Sequence, residues 1–273
     1  MGGRRLDQGD QRHRGRAVKP VGAGLGAALG ATAAVLLLAS CGGTSEGATQ
    51  QPPSTVTVLA AASLTEAFTE LATAYEDAHP GVTVEVSTGS STTLAQQIAE
   101  GAPADVYAGA GTGALAQLPE GYAADGGEEV LTRNVLEIAV QPGNPQAISG
   151  LTDFARTDLD TVLCAETVPC GRAADEAFAS AGITATPASR ELDVKATLAK
   201  VELGEADAAM VYRSDIVAAR DAVEGVVIPD EENVTLDYPL VWFDEDEHTL
   251  GFVELLLGDR GQQVLTDLGF SGR

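Results

Sequence analysis

The chain has 273 residues, with 40 acidic against 16 basic side chains and a formal net charge of -24. Such acidity argues against nucleic-acid binding, which needs clustered basic side chains to neutralise phosphates. Hydrophobic residues make up 44% of the chain, enough for a sizeable core, which argues against an intrinsically disordered protein. Aromatic residues account for only 4%, so that core must consist mainly of Ala, Val, Leu and Ile.

The first forty residues have the pattern of an export signal. Residues 1–20 carry six basic and two acidic side chains, and residues 21–39 carry no charge. A basic segment followed by an apolar one is typical of a secretory signal peptide. A permanent membrane span is the alternative, but it needs about 20 strongly apolar residues. The four glycines and many alanines of this run favour the signal peptide.

The apolar run ends in Leu38, Ala39, Ser40 and Cys41, ahead of a Ser-, Thr-, Gln- and Pro-rich stretch. This tetrapeptide resembles the lipobox of bacterial lipoproteins, which implies cleavage before Cys41 and a diacylglycerol on its thiol. An ordinary signal peptide with an unrelated Cys is the alternative. We expect residues 1–40 to be the signal peptide and residues 41–54 a flexible tether. The exported protein would then be anchored to the outer face of the cell membrane, with a formal charge of -28.

Two other cysteines, Cys164 and Cys170, lie in the remaining chain with five residues between them. This spacing in an exported protein favours a small disulfide loop, although two free thiols stay possible. A metal site would need further Cys or His ligands, and only His79 and His248 follow the predicted cleavage point.

Short β-rich segments alternate with helical ones along the rest of the chain. The predicted strands are residues 55–60, 82–86, 105–108, 135–140, 161–164, 208–212, 226–228 and 236–243. The predicted helices are residues 64–78, 94–100, 111–117, 173–181, 194–201, 249–257 and 260–268. The opening β-α-β-α-β order predicts a parallel sheet covered by helices, and a second α/β round suggests a second lobe. Ligands of such sheets bind where loops leave the carboxyl ends of strands.

Small and hydroxyl residues fill those loops. Ser63 and Glu66 have the spacing of a capping box at a helix start. Residues 90–93 (SSTT) precede another helix, where unpaired amides, hydroxyls and the helix dipole would attract an anion. No Lys or Arg lies in these loops, which argues against a phosphate-transferring enzyme.

Five segments together resemble the molybdate-binding proteins of bacterial molybdate ABC importers. They are residues 58–65 (VLAAASLT), 90–94 (SSTTL), 101–106 (GAPADV), 168–171 (VPCG) and 210–215 (MVYRSD). They occur in that family's order and spacing, and the resemblance runs from about residue 55 to 270. It implies a type II periplasmic-binding-protein fold, in which two α/β lobes joined by a hinge enclose the ligand cleft. We assign residues 55–134 plus 235–273 to lobe 1 and residues 135–234 to lobe 2.

The resemblance also implies which groups bind a tetrahedral oxyanion. The hydroxyls that would donate hydrogen bonds to it are those of Ser63, Ser91 and Tyr212. The backbone amides that would do so are those of Ala110, Cys170 and Val194. Molybdenum would be held through its oxygens only, with no side chain bound to the metal and no cofactor. If Cys170 contributes only its amide, its thiol is free to pair with Cys164.

The implied function is that of a monomeric, lipid-anchored receptor. It would bind molybdate, and tungstate as well, and deliver the oxyanion to an ABC permease driven by an ATPase. A receptor for sulfate or another tetrahedral oxyanion is the main alternative. A secreted serine hydrolase is a further alternative, but neither Ser63 nor Ser91 has a neighbouring base or lies in a nucleophile elbow. We therefore expect no enzymatic activity.

Overall fold

The computed structural model describes residues 54–273. The predicted signal peptide, Cys41 and the tether up to residue 53 lie outside these residues. The strands are β1 (Ser54–Ala61), β2 (Val82–Gly89), β3 (Val106–Ala108), β4 (Gly127–Val140), β5 (Thr161–Cys164), β6 (Ser189–Glu191), β7 (Ala208–Tyr212), β8 (Glu224–Val227) and β9 (Thr235–Trp242). The helices are α1 (Thr65–Ala78), α2 (Ser91–Ala99), α3 (Pro169–Ala181), α4 (Val194–Glu202), α5 (Arg213–Ala219), α6 (Glu247–Leu257) and α7 (Asp259–Asp267).

The strands form one mixed sheet in the order β2-β1-β3-β9-β4-β7-β5-β6, with β8 paired to β4. The predicted parallel pairing is confirmed for β1 with β2 and β3, and β5 is parallel to β6 and β7. The pairs that involve β4 or β9 are antiparallel. In β1 and β2 the last residues, Ala61 and Gly89, lie opposite each other. The loops that follow these two strands therefore leave the same edge of the sheet.

Strand β4 begins eight residues earlier than the sequence pattern predicts. Its first part carries Glu128, Glu129 and Arg133, and this polarity hides the strand from a hydrophobic pattern. Residues 127–135 pair with β9, whereas residues 136–140 pair with β7 and β8. The change of partner therefore falls at the proposed boundary between lobes, which stays a prediction.

Two short elements that position the site are missing from the sequence-based prediction. Strand β6 has three half-buried residues, too few for a period to show. Helix α5 follows β7 with no connecting loop, because Tyr212 is both the last residue of the strand and the N-cap of the helix. Strand β6 lies shortly before Val194 in the chain, and α5 begins directly after Tyr212, so both elements adjoin predicted site residues.

The predicted capping box at the start of α1 is wrong. Ser63 lies in a 3-10 turn, Ala62–Leu64, and Leu64 is the N-cap of α1, with no side-chain hydrogen bond to the helix. Ser63 is buried and bonds to a distant tyrosine instead. Glu66 forms an ion pair with Lys195 at 2.8 Å. Both side chains therefore make long-range contacts that a local motif cannot reveal.

The buried core is made largely of aliphatic side chains, as the composition predicts, and one main cluster runs through the whole sheet. A smaller cluster around Leu59, Leu94 and Tyr107 packs α2 against β1 and β3. Within residues 54–273, no helix has both the length and the hydropathy to span a membrane.

Candidate functional site

All six residues that the resemblance assigns to the oxyanion line a single cavity. Together with its mouth, the cavity has a volume of about 220 Å³. The predicted residues around it are Ser63, Ser91, Ala110, Cys170, Val194 and Tyr212. Although they come from segments up to 149 positions apart, the fold brings them to one place. Their contact with a ligand remains a proposal.

Three helices begin at the cavity. Ser91 and Val194 are the first residues of α2 and α4, and Cys170 is the second residue of α3. Amides in the first turn of a helix have no partner within the helix, and the helix dipole places partial positive charge there. At α4, the Asp193 carboxylate caps the Ala196 amide at 2.9 Å, which leaves the preceding Val194 amide for other partners. The cavity is thus bordered by amides suited to an anion.

Ser91 is held by a backbone amide. Its Oγ accepts a hydrogen bond from the Ala110 N–H at 2.9 Å, and Tyr107 donates its hydroxyl to the Ser91 carbonyl at 3.1 Å. With an oxygen lone pair occupied, the Ser91 hydroxyl proton is free to be donated into the cavity. The Ala110 amide thus orients Ser91, and the predicted donation from Ala110 to the ligand stays a prediction.

Tyr212 has a buried hydroxyl without a hydrogen-bond partner in the described protein. Burial raises the pKa of this phenol well above its usual value, and nearby Tyr238 and Asp215 raise it further. The group therefore keeps its proton at neutral pH. A buried hydroxyl left unpaired costs free energy. The Tyr212 hydroxyl is therefore available to donate a hydrogen bond to a ligand in the cavity.

Ser90 is a further candidate site residue, which the family resemblance leaves out of its ligand set. It is the N-cap of α2, yet its side chain makes no capping bond, and its buried Oγ has no hydrogen-bond partner among the described residues. It also lines the cavity. The sequence signal for it is the hydroxyl-rich segment SSTT, of which the resemblance assigns only the second serine.

The disulfide that the sequence favours joins Cys164 to Cys170 across the turn that starts α3. The side chain of Cys170 thus points to Cys164 on β5, and Cys170 also lines the cavity. Directly after it, Gly171 lies so close to the carbonyl of Ala165 that a Cβ there would be 2.0 Å from that oxygen. This turn is therefore tightly fixed.

Lysine and arginine side chains are absent from the described residues that line the cavity. Lys195, the second residue of α4, points away and binds Glu66 of α1 at 2.8 Å and Asp215 of α5 at 3.4 Å. Burial raises the pKa of Asp215 to about 6, against the opposing effect of Lys195 and a hydrogen bond from the Tyr212 amide. Burial alone would lower the pKa of Lys195, but these two carboxylates outweigh it and the net pKa is raised. The cation thus compensates acidic groups rather than facing the cavity.

The described residues contain no cluster of three or more His, Cys, Asp or Glu side chains that could hold a metal ion. The acidic residue in the cavity lining, Asp193, is engaged as a helix cap. What remains is a small pocket of hydroxyl and amide donors, and its chemistry suits the binding of an oxyanion.

A sequence model of the family described as bacterial extracellular solute-binding protein matches residues 56–271. The molybdate-binding protein ModA of Mycobacterium tuberculosis H37Rv is 31% identical over 256 residues, which cover 90% of this chain and 98% of the relative. The putative ABC transporter substrate-binding lipoprotein YvgL of Bacillus subtilis is 26% identical, with 89% and 96% covered.

Solved structures agree on the fold. The periplasmic molybdate-binding protein of Azotobacter vinelandii matches with a TM-score of 0.67 at 18% identity, covering 80% of this chain and 99% of its own. The sulfate-binding protein SubI of Mycobacterium tuberculosis matches with a TM-score of 0.64 at 17% identity, covering 80% and 87%. The predicted α/β fold of periplasmic binding proteins is confirmed.

Proposed function

Because the chain belongs to the family of bacterial extracellular solute-binding proteins, we propose that it is the receptor of an ABC importer and binds molybdate. The observation that carries the proposal is the unpaired, buried hydroxyl of Tyr212 in a cavity lined by Ser63, Ser91 and three helix starts. Relatives named as molybdate-binding proteins support the choice of oxyanion. Tungstate has the same tetrahedral shape and charge, so we include it as a second ligand.

Binding would rely on uncharged donors. Hydroxyls and amides at fixed places fit one radius of oxyanion and leave donors unpaired around a smaller one, such as sulfate. A receptor for sulfate is the alternative, and it rests on the shared fold with a sulfate-binding protein. We propose no enzymatic activity, because Ser63 and Ser91 form hydrogen bonds with Tyr238 and Ala110 rather than with a base.

Replacing Tyr212 by Phe separates ligand binding from folding. We expect a loss of molybdate affinity of about 1.5–3 kcal/mol, the range for a hydrogen bond to a charged group. The free protein should stay equally stable or become more stable, because the removed hydroxyl has no partner within it. Calorimetric titration and urea unfolding of the free variant measure the two effects.

Tyr75→Phe is the matched control. The Tyr75 hydroxyl donates to the His248 carbonyl at 3.1 Å, away from the cavity. This variant should lose some stability and keep its molybdate affinity, which is the opposite pattern. Unchanged affinity in Tyr212→Phe would remove this tyrosine from the site.

We also propose that binding closes two lobes about a hinge. The support is the change of strand partners in β4, where Val135 still pairs with Thr235 of β9 and Leu136 already pairs with Tyr212 of β7. The site residues come from both sides of this point. Closure around a ligand is a common response of such paired lobes.

We propose that the mature protein is a monomer held at the outer face of the membrane by a lipid on Cys41, and that it delivers its ligand to an ABC permease and its ATPase. The relative named as a lipoprotein supports the anchor.

Replacing Cys41 by Ala is expected to move the protein from the membrane fraction to the soluble fraction, because the thiol that carries the lipid is gone. Fractionation of cells that express the wild type and the variant measures this. If a variant that has lost residues 1–40 still sediments with membranes and resists salt washing, the lipid anchor is wrong. A Cys164→Ala and Cys170→Ala double variant is the control, since it removes the two disulfide-bonded cysteines and keeps Cys41.

A further inference from the structure

A buried chain of polar side chains lies behind Ser63. The Tyr238 hydroxyl is 3.0 Å from Ser63 Oγ and 3.3 Å from Nδ2 of Asn134. The same Asn134 Nδ2 donates to Ser214 Oγ at 2.8 Å. Tyr238 and Asn134 are both fully buried, with 0% of their surface exposed. These residues come from β9, β4 and α5, and Tyr238 and Asn134 do not line the cavity.

The direction of these hydrogen bonds is fixed at one end. Oδ1 of Asn134 accepts the Val135 amide at 3.0 Å, so Nδ2 faces Tyr238 and must be the donor there. The Tyr238 oxygen is therefore an acceptor towards Asn134. Its own proton has one acceptor within reach among the described residues, Ser63 Oγ. Burial raises the pKa of Tyr238, so that proton is present at neutral pH.

Ser63 consequently accepts a hydrogen bond from Tyr238 and directs its own proton elsewhere. Ser63 lines the cavity and has 3% of its surface exposed, so the cavity is the direction left for that proton. Ser91 has the same arrangement, with the Ala110 amide in the place of Tyr238. A donor whose orientation is set before binding loses less entropy when the ligand arrives.

We propose that Tyr238, oriented by Asn134, is a positioning residue that fixes Ser63 as a hydrogen-bond donor to the bound oxyanion. This inference rests on the proposed binding of molybdate in the cavity. Tyr238 acts through Ser63 and touches no ligand itself. Its ring also packs edge-on against Tyr212, at 6.1 Å between centroids, and against Phe270, at 5.5 Å. Phe in its place preserves that packing and removes only the hydroxyl.

A double-mutant cycle tests the proposal, because it isolates the coupling of two residues. Calorimetric molybdate affinity is measured for the wild type, Tyr238→Phe, Ser63→Ala and the double variant. Tyr238→Phe should weaken binding about three- to tenfold in the wild-type background, the effect of one lost hydrogen bond. In the Ser63→Ala background the same change should alter affinity less than about twofold, because the hydroxyl that Tyr238 orients is absent.

A merely structural tyrosine would behave differently. Equal losses in both backgrounds, or no loss in the wild-type background, would overturn the positioning role. A wild type that binds no molybdate would refute the proposed function instead, so the two failures are distinguishable. If Tyr238→Phe does not fold, Asn134→Leu in the same two backgrounds gives an equivalent cycle, with coupling to Ser63 expected and equal losses contradicting it.

Discussion

Alanine at both Ser63 and Ser91 is expected to reduce molybdate affinity by about 2–6 kcal/mol, since each hydroxyl contributes about 1–3 kcal/mol to a charged ligand. Both serine oxygens already accept a hydrogen bond within the protein, Ser63 Oγ from the Tyr238 hydroxyl at 3.0 Å and Ser91 Oγ from the Ala110 amide at 2.9 Å. Their protons are thus available to the ligand alone. Each single variant should lose about half of the effect, with some non-additivity inside one site. Calorimetric titration with molybdate measures all three variants.

The double variant also has a cost within the protein. Truncating Ser63 and Ser91 leaves the Tyr238 hydroxyl and the Ala110 amide without acceptors, so some loss of stability accompanies the loss of affinity. Ser189→Ala is the control, because that hydroxyl bonds to Glu191 on β6 and does not line the cavity. Affinity within a factor of two of the wild type in both single variants would remove the two serines from the site.

Replacing Gly171 by Ala is expected to lower the free energy of unfolding by at least about 1–3 kcal/mol, the usual cost of overpacking. It is also expected to abolish tight binding of molybdate. A Cβ at this position would lie 2.0 Å from the Ala165 oxygen and 2.8 Å from the Cys164 oxygen, and backbone atoms cannot move aside as a side-chain tip can. Overpacking of this kind forces the backbone to shift. The first turn of α3 would move, and with it the Cys170 amide at the cavity.

Gly113→Ala is the matched control for Gly171→Ala. It lies in a 3-10 helix, Thr112–Gln117, and its Cβ would meet only the tip of Arg172 at 3.6 Å, an ordinary contact. We therefore expect Gly113→Ala to keep the unfolding temperature and the molybdate affinity of the wild type, as measured by thermal unfolding and calorimetric titration. A Gly171→Ala protein with wild-type stability and affinity would show that the turn is more adaptable than its geometry indicates.

A rule of the fold predicts where the site should lie, and the family resemblance predicts which residues form it. Loops at the carboxyl ends of parallel strands converge, and Ser63 and Ser91 are each the second residue after β1 and β2. The resemblance then supplied the members from the second half of the chain, such as Tyr212. What a local pattern can give is the position of a residue relative to its own strand or helix.

Partners that come from distant segments could not be predicted in this way. Ser63 and Glu66 have the spacing of a capping box, yet their partners are Tyr238, 175 positions away, and Lys195, 129 positions away. The amide of Ala110, predicted as a ligand donor, also has a partner that no local pattern shows, the Oγ of Ser91. These contacts depend on the order of strands in the sheet, which the sequence pattern does not contain.

Net charge is likewise a poor guide to this cavity. The chain carries a formal charge of -24, yet exposed charges are screened within about 8–10 Å at physiological salt. The residues that line the cavity present hydroxyls and helix amides, and Lys195 is occupied by Glu66 and Asp215 outside it. An acidic protein can therefore bind an anion by means of local dipoles.

The most direct test of the proposed function is a comparison of four anions on the protein that spans residues 42–273. Thermal unfolding and calorimetric titration are measured with molybdate, tungstate, sulfate and phosphate at equal concentrations. A ligand that binds only the folded state stabilises it by about 2.7 kcal/mol at one hundred times its dissociation constant. Saturable binding and a rise in unfolding temperature with molybdate and tungstate, but not with phosphate, are the expected results. Stronger stabilisation by sulfate, or none by any of the four, would contradict the assignment of molybdate as the ligand.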